Sequence, residues 1–128
     1  MAEFLFSDGR QAAVDAAVDL VDGGSTAGRV EIRTSGEAVL ASCLCGDPAA
    51  GAATGADPSV ATFNSISDDT DTAAGTADHF VVLDSDNNEL WRGSVGTSGA
   101  EMTVNTVTFC EGGTFSISAM TFSQPSGD

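Results

Sequence analysis

Lysine is missing from this chain. Four arginines (Arg10, Arg29, Arg33 and Arg92) stand against 19 Asp and Glu, which leaves a net charge of −15 over 128 residues. Phosphate backbones are bound by displacing counterions with Lys and Arg, so the balance argues against a nucleic-acid partner and equally against an anionic membrane surface. Two readings of the acidity stay open: self-repulsion that keeps the molecule dispersed, screened in a salty medium, or attraction to a specific basic partner. Long apolar runs are also missing. No stretch approaches the ~18 residues of a membrane span. The opening MAEFLFSDGR has only Phe4, Leu5 and Phe6 in a row, without the basic leader of a signal peptide. The expectation is a chain made and folded in the cytoplasm.

Cysteine is scarce as well: three residues, an odd count at irregular spacing, which is no disulfide framework. Cys43 and Cys45 would share one face of a strand and suit small buried apolar groups. A zinc site would want four ligands, commonly in paired Cys-x-x-Cys spacings that are not found here. A bond between Cys110 and either of the others stays open, although a reducing cytoplasm disfavours it.

Catalytic signatures are equally thin. His79 is the only imidazole, so any general-base scheme must use it. GTSGA places Ser98 in a context like a nucleophile elbow, but its second glycine is out of register. Gly96 and Gly99 without a lysine make no phosphate loop. Carboxylates are so frequent that their pairing discriminates nothing. The expectation is a protein that is not an enzyme and carries no cofactor.

One helix and several strands are legible. DGRQAAVDAAVDLVDGG places Val14, Val18 and Val21 at i, i+4 and i+7, with Ala13, Ala17 and Leu20 widening the apolar stripe. This predicts a helix over 8–22, capped by Asp8 and stopped by Gly23-Gly24. After Gly28 the period becomes two. RVEIRT turns Val30 and Ile32 inward and Glu31 and Arg33 outward, while AVLASCLC is apolar on both faces and reads as a more central strand. GDPAAGAATGADP is a flexible loop, SVATFNSI is extended, and SDDTDTAAGTA is a second loop. DHFVVLD and ELWRGSV read as a hairpin about SDNN, and EMTVNTVTFC and TFSISAMTF as a last pair about EGG. The expected fold class is mainly β: an antiparallel sandwich or barrel, jelly-roll or immunoglobulin-like, with one N-terminal helix. Residues 1–7 would form an arm and residues 8–128 a single domain.

DSDNNE sets Asp84, Asp86 and Asn88 at alternate positions, like the start of a calcium loop. The sixth position is Glu89 and the twelfth Val95, where that loop needs glycine and a bidentate glutamate, so a hairpin turn is the better reading. Asp68, Asp69 and Asp71 read as a solvated acidic loop. Phe4-Leu5-Phe6 is either tucked against its own domain or docked on a partner.

GTADHFVVLDSDNNELWRGSVGTSGAEMTVN, with LVDGG, GRVEIRTSG and GGTFSISAMTFSQP in the same order, resembles small virion proteins of tailed phages, across most of the chain. The resemblance implies a capsid decoration, or cement, protein made in the host cytoplasm and bound to the capsid exterior. It would be a homotrimer locking neighbouring copies of the major capsid protein. Phe4, Leu5, Phe6, Arg10 and Trp91 are the contact residues this reading selects. GSVGTSGAE would be a structural connection, with Gly93, Gly96 and Gly99 taking positive φ or admitting close backbone approach. Other roles compatible with the same β domain are a tail- or fibre-associated module and a free-standing calcium-binding domain.

Overall fold

The structure is a computed structural model that describes residues 7–23, 26–46, 49–52, 54, 59–100, 102–117 and 120–124. Helix α1 spans Ser7–Asp19 and tightens into a 3₁₀ turn at Leu20–Asp22. Nine strands follow among the described residues: β1 Arg29–Arg33, β2 Val39–Leu44, β3 Ser59–Thr62, β4 Gly75–Thr76, β5 His79–Leu83, β6 Glu89–Gly96, β7 Met102–Thr103, β8 Thr108–Phe109 and β9 Thr121–Gln124. The fold is mainly β with one N-terminal helix, as the alternating patterns predict.

Five strands form a curled sheet in the order β2-β1-β5-β6-β7, and the pairs β3-β9 and β4-β8 are separate small sheets. Every pairing is antiparallel except β6 with β7, which is parallel. Parallel neighbours normally need a long crossover. Here the match is only Val95 with Met102 and Gly96 with Thr103, so a short bend after Gly96 suffices to bring the chain back. In that bend Gly99 alone among Gly93, Gly96 and Gly99 has a positive φ, 68°.

The inner face of the sheet, α1 and the β3-β9 pair share one core. Val14, Val18 and Val21 of the helical segment are buried with Val30, Ile32, Cys43, Phe80 and Val82 of the sheet and Ala61 and Phe63 of the β3 region. Ala13 and Leu20 are exposed, so the helix stripe is narrower than its sequence suggests. Asp8 lies in the first turn of the helix instead of before it, because the helix starts at Ser7. The turn closes with the Gly23 N–H on the Leu20 carbonyl at 3.0 Å, and Asp22 accepts from the Ala49 N–H at 3.1 Å. At Gly28 a Cβ would lie 2.4 Å from the Leu83 carbonyl oxygen and 2.7 Å from that of Val21, so the crossing of 3₁₀ turn and sheet requires glycine there.

Three expectations fail for identifiable reasons. AVLASCLC becomes β2, the edge strand instead of a central one, with Val39 and Leu44 exposed. Its open edge is sealed by the 67–73 loop: the Leu40 carbonyl accepts from Ala73, the Leu44 carbonyl from Ser67, and the Ser42 N–H donates to Asp69 Oδ2 at 2.8 Å. EMTVNTVTFC and TFSISAMTF do not pair about EGG. The turn forms at residues 111 and 112, with Gly112 at φ 76°, but β8 pairs with β4 and β9 with β3. Glu31 and Arg33 do point away from the core, yet both are buried. What covers them is each other and their neighbours.

Candidate functional site

Cross-strand register sets the outer face of the sheet in three rows. Leu44, Arg29, Leu83 and Glu89 form the first, Ser42, Glu31, Val81 and Arg92 the second, and Val39, Arg33, His79 and Ser94 the third. Alternation places most of these side chains on one face, because successive residues of a strand point to opposite sides, and a register shift in β2 and another in β6 bring Val39 and Glu89 into the rows. The three arginines whose side chains are described and the sole histidine therefore meet on one surface, with carboxylates interleaved.

Arg29 and Arg33 both reach Glu31, Nε to Oε2 at 2.8 Å and Nη2 to Oε1 at 2.7 Å. Arg33 Nη1 also donates to Glu37 Oε1 at 3.1 Å and Glu89 Oε2 at 2.9 Å. Arg92 grips Glu37 with both terminal nitrogens and reaches Glu89 Oε1 at 2.9 Å. Side-chain exposure is 10% for Arg33 and 9% for Glu31, which makes this pair the interior of the network. Val81, at the centre of the middle row, is 0% exposed although it faces away from the core. Its register neighbours are Glu31 and Arg92, and long charged side chains bury their stems over such a position and keep their heads wet.

The electrostatics follow from the geometry. Burial of Glu31 alone would raise its pKa, but hydrogen bonds from Arg29 and Arg33 outweigh that and hold it below the usual range. Burial would likewise favour a neutral Arg33, and the three carboxylates reverse the effect and keep it charged. Glu37, gripped chiefly by Arg92, is held down to about 2.

His79 lies between carboxylates. Nδ1 is 2.9 Å from Asp78 Oδ2 and Nε2 is 3.2 Å from Glu37 Oε2, with Arg92 Nη1 3.4 Å from Nε2. Both ring nitrogens are engaged, and the ring serves as a brace in this network.

The 84–88 turn has its own construction. Asp84 Oδ1 accepts from the backbone N–H groups of Asp86 and Asn88, each at 2.9 Å, and Oδ2 accepts from Asn88 Nδ2 at 3.0 Å. Asp84 is buried and spends its oxygens folding the hairpin, while Asp86 and Asn88 are exposed. Among the described residues no cluster of three or more His, Cys, Asp or Glu is arranged to hold a metal. Asp69 is also structural: besides sealing β2 it exchanges both backbone hydrogen bonds with Phe115, at 2.9 and 2.7 Å.

Trp91 is half-buried on the inner side, its ring edge-on to Phe63 with centroids 6.2 Å apart. Arg10 lies in α1, and its side chain, with Phe4, Leu5 and Phe6, falls outside the described residues. Cys43 and Cys45 are buried, Cys110 is exposed, and all three are free thiols. The sequence identified the scarce cations one by one, but no local signal showed that they would meet. Among family models, curated proteins and solved structures, none matches the chain.

Proposed function

We propose that this chain is a head decoration protein of a tailed phage, binding the outer surface of the capsid and stabilising contacts between major capsid protein subunits. The observation that carries the reading is the outer face of the sheet. Arg29, Arg33 and Arg92 pair there with Glu31, Glu37 and Glu89, and Asp78, against His79, is the one further carboxylate of the network among the described residues, in a molecule whose net charge is −15. Such a face can approach a protein neighbour without the repulsion that the rest of the surface would produce. Val39 and Leu44, 44% and 56% exposed, sit on the same face beside Arg33 and Arg29 and supply apolar contact.

A cement protein works by mass action on the assembled shell, with modest contacts per copy repeated over the lattice. The sealed edge of β2 suits this role, because crowded copies bearing open strand edges would pair with one another. The resemblance of residues 75–105 to phage virion proteins supports the same reading and brings the homotrimer with it. Phe4, Leu5 and Phe6 would reach the neighbouring capsid subunit as an arm, with Arg10 as a contact at the start of α1, and the excess acid would face outward.

The test separates heads from tails of purified particles on a gradient. The protein is expected with heads, and Leu44→Asp and a deletion of residues 1–7 are each expected to lower head occupancy while circular dichroism stays native. Recovery with tails would move the chain to a tail or fibre module, and full occupancy for Leu44→Asp would remove the sheet face from the interface.

A further inference from the structure

The molecule has a second surface of a different kind, where charge disappears. From Met102 to Gln124 the chain has one ionisable carboxylate, Glu111, and no arginine. Part of this segment frames an open cleft of about 560 Å³ between the β7–β8 connection and the stretch after the 110–113 turn. No described residue lining it is charged.

The polar side chains of the walls are hydroxyls, one amide and the Cys110 thiol. Thr103, Thr108, Thr114, Ser116 and Asn105 line the cleft and are exposed, so their polar groups are open to an occupant. The half-buried ring of Phe115 supplies an apolar surface and packs against Phe109, which also lines the cleft, with centroids 5.2 Å apart. Several backbone donors around the cleft are already committed. The N–H of Val104 goes to Gly96, that of Gly112 to Thr72, that of Gly113 to Cys110 and that of Phe115 to Asp69. The Thr108 N–H, on the side of β8 away from β4, is taken by Thr106 Oγ1 at 3.1 Å.

These facts select the chemistry of an occupant. A charged ligand finds no counter-ion, and the field of the whole molecule repels anions. An extended peptide would bind by adding a strand, and strand addition needs a free backbone edge; the N–H that β8 would offer is already used by a threonine hydroxyl. What remains is a compound with many neutral hydroxyl or amide groups and an apolar C–H face for the ring, with affinity from side-chain hydrogen bonds and one aromatic contact.

We infer that the cleft framed by Thr103, Asn105, Thr108, Thr114, Phe115 and Ser116 is a binding site for an uncharged oligosaccharide. The site is independent of the capsid-facing sheet surface, since none of its residues belongs to the three charged rows.

The experiment is saturation-transfer NMR on the intact chain with maltohexaose, cellohexaose, chitohexaose and mannohexaose, followed by calorimetry of any that bind. A neutral threonine- and serine-only peptide and a sulfated oligosaccharide serve as controls. At least one neutral sugar is expected to bind with a Kd on the order of 0.1–1 mM, and Asn105→Ala with Thr114→Val to weaken it at least about tenfold. Both substitutions are at exposed positions, so the fold should persist, and the near-ultraviolet circular dichroism of the tryptophan checks that it does. Failure of all four sugars to bind, binding unchanged in the double variant, or preference for the peptide or the sulfated sugar would each overturn the assignment.

Discussion

Glu37 and Arg92 meet in a two-pronged ion pair, Nη1 to Oε2 at 3.0 Å and Nη2 to Oε1 at 2.9 Å, although Glu37 must hold a φ of 72° to present its carboxylate. Asn87 is the other non-glycine described with positive φ, 70°, and its Oδ1 accepts from Arg29 Nη2 at 2.6 Å. Both hairpin tips thus place a residue in the left-handed region, and in both cases its side chain binds an arginine of the sheet face. Asparagine tolerates that conformation, whereas for glutamate it is uncommon and costs energy. The ion network is what offsets the cost.

The first prediction separates these terms. Glu37→Gly removes the carboxylate and also the backbone strain, whereas Glu37→Ala removes the carboxylate and keeps the strain. Both should unfold at lower urea concentration than the native chain, with the alanine variant the less stable of the two. The reverse order would mean that the left-handed turn carries no strain.

Glu31 is the internal node of the network. Its loss leaves Arg29 and Arg33 without the carboxylate they share, and Arg33 is only 10% exposed. Breaking a buried pair from one side is costly, and Glu37 and Glu89 compensate Arg33 only in part, so Glu31→Ala should cost about 2–4 kcal/mol in urea denaturation at neutral pH, below the roughly 3–5 kcal/mol of a fully uncompensated charge. Glu89→Ala, at a 43% exposed side chain, should cost much less. Equal losses would contradict the burial ranking.

Acid should act through the same carboxylates. Glu37 titrates near 2 in the folded chain against an ordinary 4.5, and Glu31, Glu89 and Asp84 are also lowered. A lowered folded value means stability that is present above the ordinary pKa and lost as pH falls through the folded one. Thermal stability should therefore decline between pH 4.5 and about 2, the window set by Glu37. A Tm that rises continuously to pH 2 would show that charge excess outweighs the network throughout.

The thiols should divide by burial. Burial pushes Cys43 and Cys45 up to about 11, and both are enclosed, while Cys110 is exposed at the rim of the cleft. A chromogenic disulfide reagent should titrate one thiol per chain quickly under native conditions and the other two only in denaturant. Rapid reaction of more than one would place β2 outside a stable core.

Local rules reached the inner half of this fold and little of the outer half. Val14, Val18 and Val21 on the helix and Val30 and Ile32 on β1 declare their burial by period alone, and Cys43 and Cys45 by sharing a face. Glu31 and Arg33 were legible as facing away from the core, but the covering groups come from far along the chain: Glu89 is 56 residues from Arg33, and Asn87 is 58 from Arg29. Register across strands decides such meetings, and turn residues do not encode it. The EGG turn shows the same limit, since Gly112 makes a turn while the flanking strands find partners elsewhere. The edge position of β2 was hidden because the 67–73 loop covers it, making an edge strand as apolar as an inner one. The cleft was missed because scattered threonines have no motif.

This anionic β domain is proposed to act by fitting against a protein shell. Electron cryomicroscopy of purified virions that encode the chain, compared with virions from a deletion mutant, tests it most directly. The expected result is density of this size on the outer head surface of the first particles, with the charged sheet face or the N-terminal arm against the capsid, and bare heads in the second. Heads that look the same with and without the gene, or the same density on the tail, would contradict it.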